Sequence, residues 1–227
     1  MRSIVIVDYP LFAQCLSILL QQHFPDFEII TISNHYETVA LNALVLSEHF
    51  LPEGQRGLLI ARGLQYARPD LITIVWTHRP EPFHIWAGLE YKINGFLDKT
   101  MPTSDLLYWL DSALKNGSAW PGHLMIQARE WDQVIALRLR ALTSDLWLLW
   151  AALWHGESNA ELVSHLGWSK RTVERRVSEL YATLGVRQRA EVVGAAWEWG
   201  LVKAHNTGPE WSAIVHELFP TSNAKTK

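Results

Sequence analysis

Five short runs of β-branched and aliphatic residues, most of them separated by helical patterns, constrain this chain more than any other feature. They are SIVIVD (3–8), FEIITI (27–32), ALVLS (43–47), LITIVW (71–76) and NGFLDK (94–99). Runs so uniformly apolar have no polar side to offer water, so each reads as a strand buried on both faces. Strands that alternate with helices pair in parallel, which predicts a doubly wound, five-stranded α/β sheet with helices on both faces. Such sheets gather their chemistry at the carboxyl ends of the strands. The residues there are Asp8, Glu48, Thr77 and Lys99. The stretch 33–42 between the second and third runs is short, and the helix within it is expected to be truncated.

The second half is helical. Thr143 or Ser144 can cap a helix through DLWLLWAALW, apolar on nearly all sides and therefore central in its domain. Gly156 ends it, Ser158 or Asn159 can cap a second short helix, AELVSHL, and Gly167 stops that one. Ser169 then caps a third helix with Val173, Val177, Leu180 and Leu184 on its buried face. Gly185 closes it, and RAEVVGAAWEWG supplies a fourth helix. Two short helices joined by a tight Gly-containing turn, the second basic outside, describe a helix-turn-helix. Its outer face holds Lys170, Arg171, Glu174, Arg175 and Ser178. An α-helix fits the DNA major groove, and its first turns are what reach base edges. The helix-terminal N–H groups near Ser169 favour a phosphate.

Charge supports that reading. From Gly167 to Ala190 there are six basic residues against two acidic ones, a local +4 in a chain whose net charge is −3. A solvated helix face would mix the signs. Glu174 is the exception: it can accept from a cytosine amino group or pair along the helix with Lys170 or Arg171, and the spacing favours the intrahelical pair.

At 48% hydrophobic and 19% charged residues, the chain has enough apolar matter for packed cores. Asp8 interrupts the first apolar run well short of a signal sequence, and Leu146–Trp154 is about half a membrane span. A single cysteine, Cys15, excludes an internal disulfide and a Cys-based zinc cage, and it reads as a small core residue. The histidines show no HExxH spacing. No metal or other cofactor, no membrane association and a cytoplasmic location are expected. The twelve tryptophans read as ring anchors in the cores.

Residues 142–201 resemble the LuxR-type DNA-binding domain. The leading Leu-Thr, the G-x-S-N stretch, the S-x-x-T-V start of the third helix, LGV and the closing GL agree in register. The resemblance implies an all-α four-helix domain that reads double-stranded DNA through Glu174, Arg175 and Ser178. It also implies phosphate contacts from Lys170, Arg171, Thr172 and Arg176, and homodimerisation through the fourth helix around Val193, Ala196 and Trp197.

Residues 1–117 resemble the receiver domain of response regulators. IVDYPLF is similar to that family's opening acidic motif, TIVWT to its fourth strand, and GFLDK to its fifth with the site lysine. Together the halves resemble a NarL/FixJ-class response regulator. The resemblance assigns the phosphoacceptor position to Glu48, four residues before Pro52, where the family has Asp. The acidic pair after strand one is reduced to Asp8 followed by Tyr9. Aspartyl phosphorylation needs a placed carboxylate and a Mg²⁺ held by several oxygens, so this pseudo-active site of Asp8, Glu48, Thr77 and Lys99 is expected not to use it. Glu48 is expected to reach Lys99 and Thr77. That contact either holds the domain near its active arrangement or is an ion pair in a dimerisation platform. Phe96 occupies the switch-aromatic position and either toggles or simply packs.

The organisation that follows is a receiver-like domain (1–117), a helical linker (118–141), a helix-turn-helix domain (142–203), and an added amphipathic segment with a disordered tail (204–227). In the added segment Trp211, Ile214, Val215 and Leu218 are expected on one helical face. The expected function is sequence-specific transcriptional regulation independent of aspartyl phosphate, with a small-molecule or protein signal possible at the receiver. Phosphorylation-dependent regulation and sequestration of another regulator remain alternatives. An enzyme is disfavoured, because no nucleophile–base pair or Gly-rich phosphate loop is present.

Overall fold

The computed structural model describes residues 3–32, 43–49, 51, 57–205 and 208–220. The predicted short helix at 33–42, Pro52 and the tail at 221–227 lie outside the described residues. The chain forms two compact units, residues 1–128 and 129–227.

The first unit is a parallel sheet in the order β2-β1-β3-β4-β5. Its strands are β1 (Ser3–Val7), β2 (Glu28–Ile32), β3 (Leu44–Ser47), β4 (Ile72–Thr77) and β5 (Gly95–Asp98). All five residues of β1 and all four of β3 are buried, as their uniformly apolar sequences require. The two-residue period splits β1: Ile4 and Ile6 face one layer, Val5 and Val7 the other. On the first side lie α1 (Pro10–His23), through Ala13, Leu16 and Leu20, and α4 (Thr103–Asn116), through Leu106, Leu110 and Ala113. On the second lies α2 (Gly57–Ala67), through Ile60 and Leu64, with α3 (Pro82–Glu90) beside it. Register aligns the strand ends: Val7 with Ser47, Ser47 with Val75, and Thr77 with Asp98. Asp8, Glu48 and Lys99 therefore all follow at one rim.

The stretch expected as a linker helix holds α5 (Gly122–Trp131), a π-helical turn over Asp132–Ala136, and α6 (Leu137–Arg140). The second unit then builds on α7 (Ser144–Trp154), whose Leu146, Trp147, Leu149, Trp150, Leu153 and Trp154 are all buried. Around it stand α8 (Asn159–Leu166), α9 (Lys170–Leu184) and α10 (Arg189–Glu198). Thr143 caps α7, and Ser158 caps α8 in a capping box with Glu161. The Trp150 indole N–H donates to the Val192 carbonyl at 2.9 Å, pinning α10 to α7.

Two expectations are corrected here. The unit is not all-α: an antiparallel hairpin of β6 (Val202–His205) and β7 (Gly208–Trp211) follows α10. Trp211 accordingly belongs to a strand, and only Ala213–Leu218 forms the helix α11. The reason is tertiary. The Trp211 ring sits 5.0 Å from Trp150 and 5.7 Å from Trp147, within the aromatic core, and this packing overrides the local helical pattern. Ile214 and Val215 are fully buried within the same unit. Cys15 is also corrected. It is exposed, because the buried stripe of α1 runs through Ala13, Leu16 and Leu20 on the opposite side.

Candidate functional site

In α9 the helical period separates two chemistries. Val173, Leu180 and Leu184 are wholly buried, while Lys170, Arg171, Glu174, Arg175 and Ser178 are exposed. The helix begins sharply because the Ser169 hydroxyl accepts from the Thr172 N–H at 3.1 Å, and the Thr172 hydroxyl lies 2.8 Å from the same oxygen. Only three residues, Gly167 to Ser169, separate α9 from α8, and Gly167 takes the left-handed conformation (φ 66°) that ends α8. No acidic residue occupies the first turn of α9. The positive end of the helix dipole and the side chains of Lys170 and Arg171 therefore add together. At the other end, the Arg138 guanidinium donates to the Leu184 carbonyl at 2.7 Å and stands where a Cβ on Gly185 would fall, about 2.9 Å away.

Among the described residues, Lys170, Arg171 and Arg175 have no ion-pair partner. Arg176 differs: it pairs with Glu179 at 2.9 Å and with Asp145 at 3.2 Å. Glu174 makes no ion pair with Lys170 or Arg171, which corrects the intrahelical expectation. Both cations point along the exposed face instead of closing on the carboxylate. The Ser178 hydroxyl donates to the Glu174 carbonyl at 3.0 Å and keeps its lone pairs outward. On α10, Trp197 is 44% exposed and Val193 partly so, whereas Ala196 is fully buried and cannot meet another chain. That corrects the dimerisation set at Ala196.

At the rim of the sheet, the Lys99 ammonium is 2.6 Å from Asp8 Oδ2 and 2.7 Å from Glu48 Oε2. All three side chains are nearly inaccessible. The rings of Phe12 and Trp76 lie 4.8 Å from Nζ, so the ammonium is held by two carboxylates and two aromatic faces. The Tyr9 N–H donates to Asp8 Oδ1 at 2.7 Å, and His78 Nδ1 approaches Glu48 Oε2 to 3.6 Å. Sequence reasoning passed over Phe12, Trp76 and His78, although His78 directly follows Thr77 and was legible as a neighbour. Thr77 is buried, and its hydroxyl accepts from the Arg79 N–H at 3.3 Å. Burial pushes the Asp8 carboxyl above its ordinary value. The short contact with Lys99 pulls the other way, but one ammonium serves two carboxylates, and the charge of Glu48 adds to the rise. Phe96 is fully buried, stacked 6.5 Å from Trp120.

These residues do not suit the divalent cation that a receiver site implies. The oxygens that would ligate it already hold Lys99 at hydrogen-bond distance, and a hard octahedral ion needs more oxygens than two buried carboxylates supply. Among the described residues no group of three or more His, Cys, Asp or Glu side chains converges as a ligand set.

A buried three-charge rim on a β2-β1-β3-β4-β5 parallel sheet, followed by a helix pair with a cationic second member, defines the fold of a response regulator. Solved structures of that class share it. RcsB of Salmonella typhimurium superposes with a TM-score of 0.66 at 16% identity, over 86% of this chain and 98% of its own. An RcsB–DNA complex gives 0.55 at 17% identity, over 87% and 98%. In sequence, the transcriptional regulatory protein YdfI of Bacillus subtilis (strain 168) is 24% identical over 166 residues, 72% of this chain and 77% of its own. No family model matches the chain. Among the described residues no helix is long and apolar enough to cross a membrane.

Proposed function

We propose that the chain is a sequence-specific DNA-binding transcriptional regulator of the LuxR-type, NarL/FixJ-class kind, dimeric on its operator, whose receiver-like unit works without aspartyl phosphorylation. One observation carries the DNA reading. The apolar side of α9 is wholly buried, while Lys170, Arg171 and Arg175 stand exposed and unpaired on the other side. Such a rod presents its cations to phosphates and its first turns to base edges. In this reading Arg175, Glu174 and Ser178 meet bases, and Lys170, Arg171 and Thr172 meet the backbone. Arg176 contributes less, since Asp145 and Glu179 already hold it. The printed roles of the relatives, a transcriptional regulatory protein and a response regulator in complex with DNA, agree with it.

Independence from phosphate rests on the rim. Glu48 is bonded to Lys99 and nearly inaccessible, so a phosphoryl donor would have to break a buried ion pair to reach it. Lys99 meanwhile has its charge partner already.

Gel-shift titration tests the proposal. Arg175→Ala should lose about 1–3 kcal/mol on the preferred site and relax one base position, while Lys170→Ala weakens all sequences alike. Affinity should fall steeply with added salt as counterions compete for the phosphates. Equal losses on specific and random DNA for both variants would remove the specificity claim.

A further inference from the structure

The outer face of α1 is unlike a solvated helix face. None of its fourteen residues is Asp, Glu, Lys or Arg. Its buried side is Ala13, Leu16 and Leu20, and directly opposite runs Leu11, Cys15 and Ile18, at i, i+4 and i+7. Leu11 is 70% exposed and Ile18 64%, with Phe12 at 54% beside them. The polar residues bordering the stripe, Gln14, Gln21 and Gln22, are neutral. An open groove of about 440 Å³ lies along the same flank, lined by Ser17, Ile18, Gln21, Gln22 and Ile29, the last from edge strand β2. Apolar side chains projecting from a helix next to a groove of side-chain size are knob and hole on one surface.

We propose that this face of α1, with the groove against β2, is a homotypic interface that takes a second copy of the same chain. The absence of charge selects that occupant. A two-fold axis sets a surface against itself, so any charge near the axis meets its own sign; a neutral, glutamine-bordered apolar stripe meets no such penalty. A charged partner would find nothing here to pair with. Antiparallel pairing of two α1 helices about the middle of the stripe places Leu11 of one copy by Ile18 of the other and brings the two Cys15 residues together near the axis. The fourteen residues span only about 21 Å, which is small beside a standard stable interface of about 800 Å² per partner. The association is therefore weak and concentration-dependent, separate from any contact through Trp197 of α10.

Sedimentation velocity of the full chain without DNA, across a wide concentration range, tests this together with Ile18→Glu and Trp197→Ala. The wild type is expected to pass from monomer to dimer, and Ile18→Glu to weaken that equilibrium about a hundredfold or more. Trp197→Ala is expected to leave it in place. A short bis-maleimide should trap the wild-type dimer through Cys15, the chain's one cysteine, and fail to trap Ile18→Glu. Circular dichroism controls for folding, and Leu11→Glu serves in place of Ile18→Glu if that variant does not fold. A wild type that stays monomeric, a dimer that survives both glutamate substitutions, or a dimer that Cys15 does not cross-link would each overturn the interface. None of these results bears on whether α9 binds DNA.

Discussion

Replacing Lys99 with methionine removes the one cation from a site where two carboxylates depend on it. The ammonium lies 2.6 Å from Asp8 and 2.7 Å from Glu48, and all three side chains are buried. Methionine fills similar volume between Phe12 and Trp76, so lost packing is not the main effect. Breaking a buried pair by deleting one partner costs about 3–5 kcal/mol, a large part of the about 5–15 kcal/mol that holds a domain folded. The sign with pH is fixed. Without Lys99 both carboxyls have folded pKa values raised above their unfolded ones, because burial disfavours the anion. The penalty is therefore complete at neutral pH. It shrinks as pH falls through those raised values, where the folded state takes up protons before the unfolded state does. Urea titrations read by hydrogen exchange of peptides covering β1 and β3 isolate this unit from the rest of the chain. A variant within about 0.5 kcal/mol of wild type at pH 7, or one whose deficit grows on acidification, would refute the three-charge account.

Other perturbations give distinct readouts. Asp8→Asn leaves a balanced Glu48–Lys99 pair, so stability at pH 7 should stay within about 1 kcal/mol of wild type by the same assay. Wild-type Asp8, with its pKa raised above the ordinary 3.8, favours the folded state as pH drops through that raised value. Asp8→Asn should lose that acid-side gain in a series of urea midpoints. Gly57→Ala sets a Cβ 1.9 Å from the Glu48 carbonyl oxygen, forcing the backbone of the rim to move; a loss of about 2 kcal/mol or more is expected in thermal melts. Incubation with a small-molecule phosphodonor and Mg²⁺ should add no phosphate by intact mass and leave the DNA-binding curve unchanged. Stoichiometric labelling of Glu48 or Asp8 would restore phosphorylation-dependent control.

The parallel sheet was legible because its strands carry no polar residues to mislead; the apolar runs at β1 and β3 could satisfy themselves only inside a two-faced layer. The partition of α9 was legible for the matching reason, since Val173, Leu180 and Leu184 recur at helical spacing with the cations between them. What escaped depends on partners distant in sequence. That Lys99 would serve Asp8 as well as Glu48 follows from strand register, which brings Val7, Ser47 and Asp98 to one rim. Trp211 was misassigned because a ring drawn toward Trp150 can impose a strand on residues with a helical pattern. Cys15 was misplaced because α1 is apolar on two sides, and periodicity alone does not say which side faces the sheet. Arg176 looked equivalent to Arg175 until Asp145, thirty-one residues away, met it.

Selection of bound sites from random DNA by the purified chain, without phosphodonor, tests the proposal most directly. Recovery of one motif with paired half-sites is predicted, abolished when Lys170, Arg171 and Arg175 are replaced together by alanine. Failure to enrich any sequence, or equal enrichment by the triple variant, would contradict it.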